Sequence, residues 1–153
     1  MFGFPFIVSG QLGNNDIHPL FQPTQLAALQ HVELVGLAFG NRHLIALGKD
    51  GSVYACGDNS LGQLGIGANP DAQTKYLTPQ ALKSIAAIPM SDVACGDNMT
   101  MLLSRDGRLF AFGAGETNQI PAHSEDVFTP VQIQIPFETE NNQTKGNTTS
   151  VLT

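Results

Sequence analysis

Short apolar runs separated by polar turns fill the chain, and one pairing of them occurs twice. Residues 43–57 read HLIALGKDGSVYACG, and residues 99–113 read MTMLLSRDGRLFAFG. In both segments two apolar runs flank an Asp-Gly pair, which is the strongest short-range signal for a β-hairpin. We predict that Asp50-Gly51 and Asp106-Gly107 each form a two-residue type I′ turn between antiparallel strands.

These two segments belong to an internal repeat. Gly40 and Gly96 are 56 residues apart, and the same distance separates Gly57 from Gly113. The apolar runs are nearly continuous rather than alternating, which indicates strands that are buried on both faces. Antiparallel sheets of this kind, repeated every fifty-odd residues, predict an all-β fold of stacked four-stranded blades, as in a β-propeller.

A second recurring motif, a short segment around a proline that we call the anchor, marks the repeat boundaries. Similar segments surround Pro23 (FQPTQL), Pro79 (LTPQAL) and Pro130 (FTPVQI). Pro23 precedes Gly40 by 17 residues, and Pro79 precedes Gly96 by the same distance. A β-sandwich with two similar hairpins would not require this shared spacing. We therefore predict one partial propeller over residues 1–153. Its parts are the tail of a repeat at about 1–31, repeats at about 32–87 and 88–137, and the head of another at about 138–153.

Further strands are available within each repeat. The segments QHVELVGLA and VQIQIPF have the composition of additional strands, whereas TQLAALQHV is equally compatible with a short helix. The sequence does not decide between these alternatives.

Composition limits the kinds of partner that we expect the protein to bind and the cellular compartment in which we expect it. The net charge is −6 and the seven Lys and Arg residues are scattered, so we expect no direct nucleic-acid binding. No run of 18 apolar residues occurs, so we expect no membrane span. Cys56 and Cys95 are too few for a disulfide framework and indicate a reducing compartment. We expect a cytoplasmic protein, with the nucleus as the alternative.

No segment carries a recognisable catalytic pattern. The four histidines are far apart and lack metal-ligand spacing to cysteine, and the glycine-rich stretches GQLGIG and GAGETN lack the order of a phosphate-binding loop. Ser9, Ser60 and Ser104 lie outside any nucleophile-elbow pattern. We therefore predict no catalytic residue, no metal and no cofactor, and we interpret the glycines as turn residues.

Loop length varies between the repeats, and inserted loops in repeat proteins often carry binding. The insertion falls at residues 66–76 (IGANPDAQTKY), and its counterpart at 114–128 is acidic. Solvated loop charge is the competing interpretation. The candidate binding residues are Asp71, Lys75, Tyr76, Glu116, Glu125 and Asp126.

The repeat unit resembles that of the RCC1 (regulator of chromosome condensation) family. Residues 37–67 (LAFGNRHLIALGKDGSVYACGDNSLGQLGIG) match its pattern almost throughout, and residues 93–120 match the first two-thirds. The family often has a tryptophan directly before the glycine that corresponds to Gly57 and Gly113, whereas this chain has no tryptophan. The motif Gly62-Gln63-Leu64-Gly65 becomes Asn-Gln-Ile-Pro at 118–121.

The resemblance implies a seven-bladed ring, of which this chain has material for about three blades. It also implies a structural hydrogen-bonding role for His43, where the family commonly has a histidine. An open arc leaves an apolar sheet face exposed, so we expect self-association of the isolated chain.

Two functions fit this resemblance. The first is a non-catalytic, protein-binding propeller that serves as a scaffold or regulatory module of a larger protein. The alternative is guanine-nucleotide exchange on a small GTPase such as Ran, but no segment matches the projecting element that exchange requires. A hydrolase has no supporting acid, base or nucleophile cluster.

Overall fold

The computed structural model describes residues 10–18, 25–68, 73–115, 119–121 and 123–134. Within these residues the chain forms eight strands and two short 3₁₀ turns, Ala27–Leu29 and Lys83–Ile85. The first four strands are β1 (Leu34–Phe39), β2 (His43–Gly48), β3 (Val53–Asp58) and β4 (Lys75–Ala81). The second four are β5 (Met90–Cys95), β6 (Met99–Ser104), β7 (Leu109–Gly113) and β8 (Val127–Ile133). No helix in the described ranges is long and apolar enough to cross a membrane.

The strands form two antiparallel four-stranded sheets in the orders β1-β2-β3-β4 and β5-β6-β7-β8. This confirms the predicted all-β fold of four-stranded blades. The segment TQLAALQHV contributes only one 3₁₀ turn, and QHVELVGLA supplies β1. The anchors Pro79 and Pro130 lie inside β4 and β8, the outer edge strands, where a residue without an N–H does not interrupt a ladder on both sides.

The two Asp-Gly hairpins form, but the predicted type I′ turn is wrong. Positive φ occurs at Gly51 (92°) and Gly107 (85°) and not at the preceding aspartates. The Gly51 N–H donates to the Gly48 carbonyl, and the Gly48 N–H donates to the Ser52 carbonyl. The loop therefore has three residues, ending in a left-handed glycine that forms a bulge. The Asp50 carboxylate accepts from the Ser52 N–H and hydroxyl and so holds the turn.

The two sheets share one hydrophobic core. Every residue of β2 is buried, and β3 is buried except for Tyr54, as expected for strands covered on both faces. Strand β5 packs against β1 and β2, and the buried cluster runs from Ile45 and Leu47 in the first sheet to Leu102 and Phe112 in the second. By contrast β6 alternates between buried residues and residues that are partly buried or exposed, since one of its faces lies outside this stack.

Substituting alanine at the two hairpin glycines should separate backbone strain from packing. Both sites have positive φ, which costs a non-glycine residue about 1 kcal/mol or more. An added Cβ at Gly51 would lie 2.7 Å from Pro89 Cβ, whereas nothing lies within 4 Å at Gly107. We expect Gly51→Ala to lower the free energy of unfolding by at least ~1 kcal/mol more than Gly107→Ala. Equal losses in denaturant titrations would contradict this packing.

Candidate interaction site

Each sheet has two ends with different chemistry. At one end lie the turns 40–42 and 96–98 together with the described parts of the loop after β3 (59–68 and 73–74) and of the loop after β7 (114–115, 119–121 and 123–126), and we call this end the loop face. At the other end lie the turns 49–51 and 105–107, which we call the hairpin face. Because the strands run antiparallel, all of the loops with variable length meet at the loop face. The candidate interaction site therefore lies at the loop face.

The loop after β3 is held by its own polar side chains. Asn59 donates from Nδ2 to the Gly67 carbonyl (3.1 Å) and accepts from the Leu64 N–H at Oδ1 (3.0 Å). Asp58 accepts from the Ser60 N–H and pairs with the Arg42 guanidinium at 3.3 Å. Asp58 and Asn59 are both buried. These bonds give the first part of the loop a fixed shape, so that it forms part of the scaffold.

The segment Gly62-Gln63-Leu64-Gly65 forms a hook that docks onto the second sheet. All four residues are buried, and both glycines have positive φ. A Cβ at Gly62 would lie 2.4 Å from the Val127 carbonyl oxygen, and one at Gly65 would lie 2.7 Å from the Phe112 ring. No other residue fits such close approaches at this backbone conformation. The glycines are turn residues, as predicted, and they also join adjacent sheets.

The same hook occurs earlier in the chain and was missed by the sequence analysis. Gly10-Gln11-Leu12-Gly13 repeats the motif, again with positive φ at both glycines. A Cβ at Gly13 would lie 3.1 Å from Cys56 Sγ, and Cys56 is the first-sheet counterpart of Phe112. Residues 10–13 therefore hold the first sheet in the way that residues 62–65 hold the second. The identical four-letter motif was the available signal.

A buried hydrogen-bond chain connects the hook to both sheets. The Thr100 hydroxyl donates to the Gln63 carbonyl at 2.8 Å, and His43 Nε2 lies 3.0 Å from the same hydroxyl oxygen. Since the hydroxyl proton is already used, His43 Nε2 must be the protonated nitrogen, and it donates to Thr100. This confirms a structural hydrogen-bonding role for His43. Both residues are fully buried.

The environment keeps His43 neutral. Burial lowers its pKa to about 4, and the charge of Asp58 and a weaker polar interaction with the Met99 backbone oppose this effect only in part. The second nitrogen, Nδ1, is buried without a hydrogen-bond partner, which suits an uncharged ring. In the second sheet the equivalent position is Met99, so the chain builds this polar contact once in the described residues.

Four of the six candidate residues lie within the described ranges, and all four are at the loop face. Lys75 and Glu125 are exposed, whereas Tyr76 and Asp126 are partly buried. Tyr76 packs against the core, and Asp126 Oδ1 accepts from the Gly115 N–H at 3.1 Å, so these two have structural contacts. Asp71 and Glu116 lie outside the described residues.

The sheet register shows a relation between these residues that the sequence hides. Tyr76 pairs with Gly57 and Val127 pairs with Gly113, so Lys75 and Asp126 occupy equivalent positions in the two blades. The five-residue difference in loop length obscured this equivalence. The loop face therefore presents a positive side chain at the start of β4 and a negative one just before β8.

The two thiols are poorly suited to nucleophilic chemistry. Burial raises the pKa of Cys56 to about 12 and that of Cys95 to about 11, so both stay protonated at neutral pH. In the described part of the chain no three His, Cys, Asp or Glu side chains come close enough to hold a metal ion. The geometry available at the loop face is that of a rigid platform with charged rims.

Stacked four-stranded sheets, joined by glycine hooks, define this chain as part of a β-propeller. Family models described as "Regulator of chromosome condensation (RCC1) repeat" match residues 50–103 and, separately, residues 35–63 and 90–119. The chain belongs to the RCC1 repeat family.

Similar proteins share this assignment. Mouse Protein RCC2 is 34% identical over 131 residues, which cover 86% of this chain and 24% of RCC2. The human "Probable E3 ubiquitin-protein ligase HERC6" is 33% identical over 84% of this chain and 12% of its own length. Prp20p from Saccharomyces cerevisiae superposes with a TM-score of 0.73 at 22% identity, covering 84% of this chain and 33% of Prp20p. The chain thus spans a quarter or less of these two sequence relatives.

The buried histidine should make stability depend on pH. The unfolded chain binds a proton at His43 near pH 6.5, but the folded chain does so only near pH 4. Stability is therefore lost as the pH falls between these values, by on the order of 3 kcal/mol. We expect His43→Met, which introduces the residue found in the second sheet, to remove this part of the pH dependence.

Denaturant titrations between pH 7 and pH 4 measure this effect. The matched control is His31→Gln, which removes an exposed histidine and leaves the Thr100 contact intact. Parallel stability curves for the wild type and His43→Met would show that the His43 ring is not held neutral by burial.

Proposed function

We propose that this chain is a non-catalytic protein-binding module, part of an RCC1-type propeller with a scaffolding or regulatory role. The observation that carries the proposal is the loop face, where exposed Lys75 and Glu125 project from blades locked together by hooks. A rigid platform with exposed charged groups can recognise a partner at low entropic cost. The thiols of buried Cys56 and partly buried Cys95 stay protonated, which supports a role without nucleophilic chemistry.

The relatives support a protein partner of this kind. HERC6 carries the name of a ubiquitin-protein ligase, and RCC2 shares the repeat at similar identity. Prp20p has been described with its binding properties to Gsp1p and histones, and a second structure holds yeast RCC1 (Prp20) with Kap60. We infer protein partners for this chain from that pattern. The free cysteines suit a reducing compartment, and we propose a cytoplasmic location, with the nucleus as the alternative.

Nucleotide exchange is the less favoured function. Prp20p, whose binding to Gsp1p is described, is similar to this chain at 22% identity, a likeness that shows the fold and carries no role over. In the described ranges the loop after β3 folds back onto the second sheet through Gly62 and Gly65. This described part of the loop, residues 62–65, therefore lies against the second sheet and does not project from the blade.

Charge reversal at the two ends of the blades should locate the partner surface. We expect Lys75→Glu with Glu125→Lys to remove most partners captured by proximity labelling in cells, because both side chains are exposed at the loop face. The matched control is Lys83→Glu with Glu33→Lys, two exposed residues at the hairpin face, of which Glu33 pairs with Lys49. Loss of partners only in the control variant would move the site to the opposite end, and no loss in either would contradict the proposal.

A second measurement addresses exchange directly. We expect the chain to leave the rate of labelled GDP release from Gsp1p, a protein that Prp20p is described as binding, unchanged at any concentration of the chain. A concentration-dependent acceleration would establish the alternative function and displace the proposed one.

A further inference from the structure

Both hairpin turns contain a dipeptide in which aspartate is prone to isomerise. A glycine after the aspartate leaves the connecting amide nitrogen unshielded, so that this nitrogen can reach the aspartate side chain. The chain has two such pairs, Asp50-Gly51 and Asp106-Gly107, and it has no Asn-Gly pair, which would react in a similar way. Every other aspartate is followed by a residue with a side chain. The two turns are therefore the places where spontaneous formation of isoaspartate is expected.

Isomerisation needs no reactant other than water. The glycine amide nitrogen loses its proton and attacks Cγ of the aspartate, and the carboxyl hydroxyl leaves with that proton as water, which gives a five-membered succinimide ring. A water molecule then opens the ring at one of its two carbonyls. One opening restores aspartate, and the other gives isoaspartate, in which the main chain runs through Cβ and Cγ. The attack requires a free amide N–H and is faster on the neutral carboxylic acid than on the carboxylate.

The backbone of each turn keeps the attacking nitrogen in a hydrogen bond. The Gly51 N–H donates to the Gly48 carbonyl at 2.9 Å, and the Gly107 N–H donates to the Ser104 carbonyl at 3.0 Å. Both bonds belong to the three-residue hairpin loop, which also requires the positive φ of the two glycines. The nitrogen has to give up this bond before it can attack the side chain. The two turns are alike in this respect.

The carboxylates of the two turns are held by different side chains. Asp50 Oδ1 accepts from the Ser52 N–H at 3.0 Å and from the Ser52 hydroxyl at 2.6 Å. Asp106 is held at both oxygens by the Arg108 guanidinium, with Nη2 at 2.7 Å from Oδ2, and it also accepts from the Ser104 hydroxyl. Because hydrogen bonds to a carboxylate favour its ionised form, Ser52 lowers the pKa of Asp50, and Arg108 lowers the pKa of Asp106. Both side chains are thereby kept in the less reactive form.

Isomerisation at Asp50 would damage the contact between the two sheets. The Gly51 carbonyl accepts from the Met90 N–H at 3.0 Å, and a Cβ on Gly51 would lie 2.7 Å from Pro89 Cβ. Isoaspartate lengthens the main chain by one carbon directly before Gly51, so the glycine has to move where there is no free space. The product would therefore disturb a hydrogen bond that joins the first sheet to the second.

We propose that Asp50-Gly51 and Asp106-Gly107 are latent sites of isoaspartate formation, and that Ser52 and Arg108 protect them by hydrogen bonds that succinimide formation must break. Ser52 and Arg108 occupy the same position of the repeat, directly after the Asp-Gly pair. One position thus performs one task with two different side chains, a hydroxyl in the first sheet and a guanidinium in the second. This role is separate from partner binding, because it preserves the covalent backbone of the turns.

Ageing of the whole folded chain at neutral pH and body temperature tests the proposal. The protease Asp-N cuts before aspartate but not before isoaspartate, so mass spectrometry of the digest counts the isomer separately at each turn. We expect Ser52→Ala to raise isoaspartate several-fold at Asp50 and to leave Asp106 unchanged, and Arg108→Gln to do the reverse. Each variant therefore contains its own control turn. Ser52→Thr, which keeps a hydroxyl, should retain the protection.

The same chain unfolded in urea gives the unprotected rate, which we expect to be higher than the rate of the folded wild type at both turns. Circular dichroism confirms that each aged variant is folded. A folded wild type that isomerises as fast as the unfolded chain would overturn the proposal. So would variants that gain no isoaspartate at their own turn, or that gain it equally at both turns, since general loosening of the fold would then replace local protection.

Discussion

The contact between neighbouring sheets is the interaction on which the rest of the structure depends. Ile45 and Leu47 are buried only because the second sheet lies on them, and the core cluster crosses from one sheet to the other. A single four-stranded sheet with apolar residues on both sides cannot hide both of them from water. The repeat, the hooks and the inter-sheet hydrogen bonds all serve this contact.

Polar groups at this contact give it direction and register. The chain from His43 through Thr100 to the Gln63 carbonyl is buried, and each donor in it has an acceptor. A slipped register would leave these groups unpaired at a cost of about 1–3 kcal/mol each. The glycines of the hook add a steric requirement, because Gly65 lies against the Phe112 ring. Apolar burial provides the driving force, and these contacts select one arrangement.

The fixed arrangement of the two sheets also bears on the proposed binding function. A module whose sheets are fixed by hooks can display charged side chains at its loop face without ordering them anew for each partner. The first half of the β3–β4 loop is tied down by Asp58 and Asn59, while Lys75 at its end is exposed. A loop whose first half is held by hydrogen bonds and whose end exposes a charged side chain suits a surface that binds a protein partner.

The sequence by itself determined the all-β class, the four-stranded unit and both hairpins, because glycine spacing and continuous apolar runs are local properties of the chain. It misjudged the turn type, since Asp-Gly fits both a two-residue turn and a three-residue loop with a bulge. Only the tertiary structure placed Thr100 beside His43 and made Lys75 equivalent to Asp126. It also decided which apolar side chains stay exposed, because the same residue types are covered at Leu47 and uncovered at Leu103. Burial at these positions depends on the neighbouring sheet, which no local pattern records.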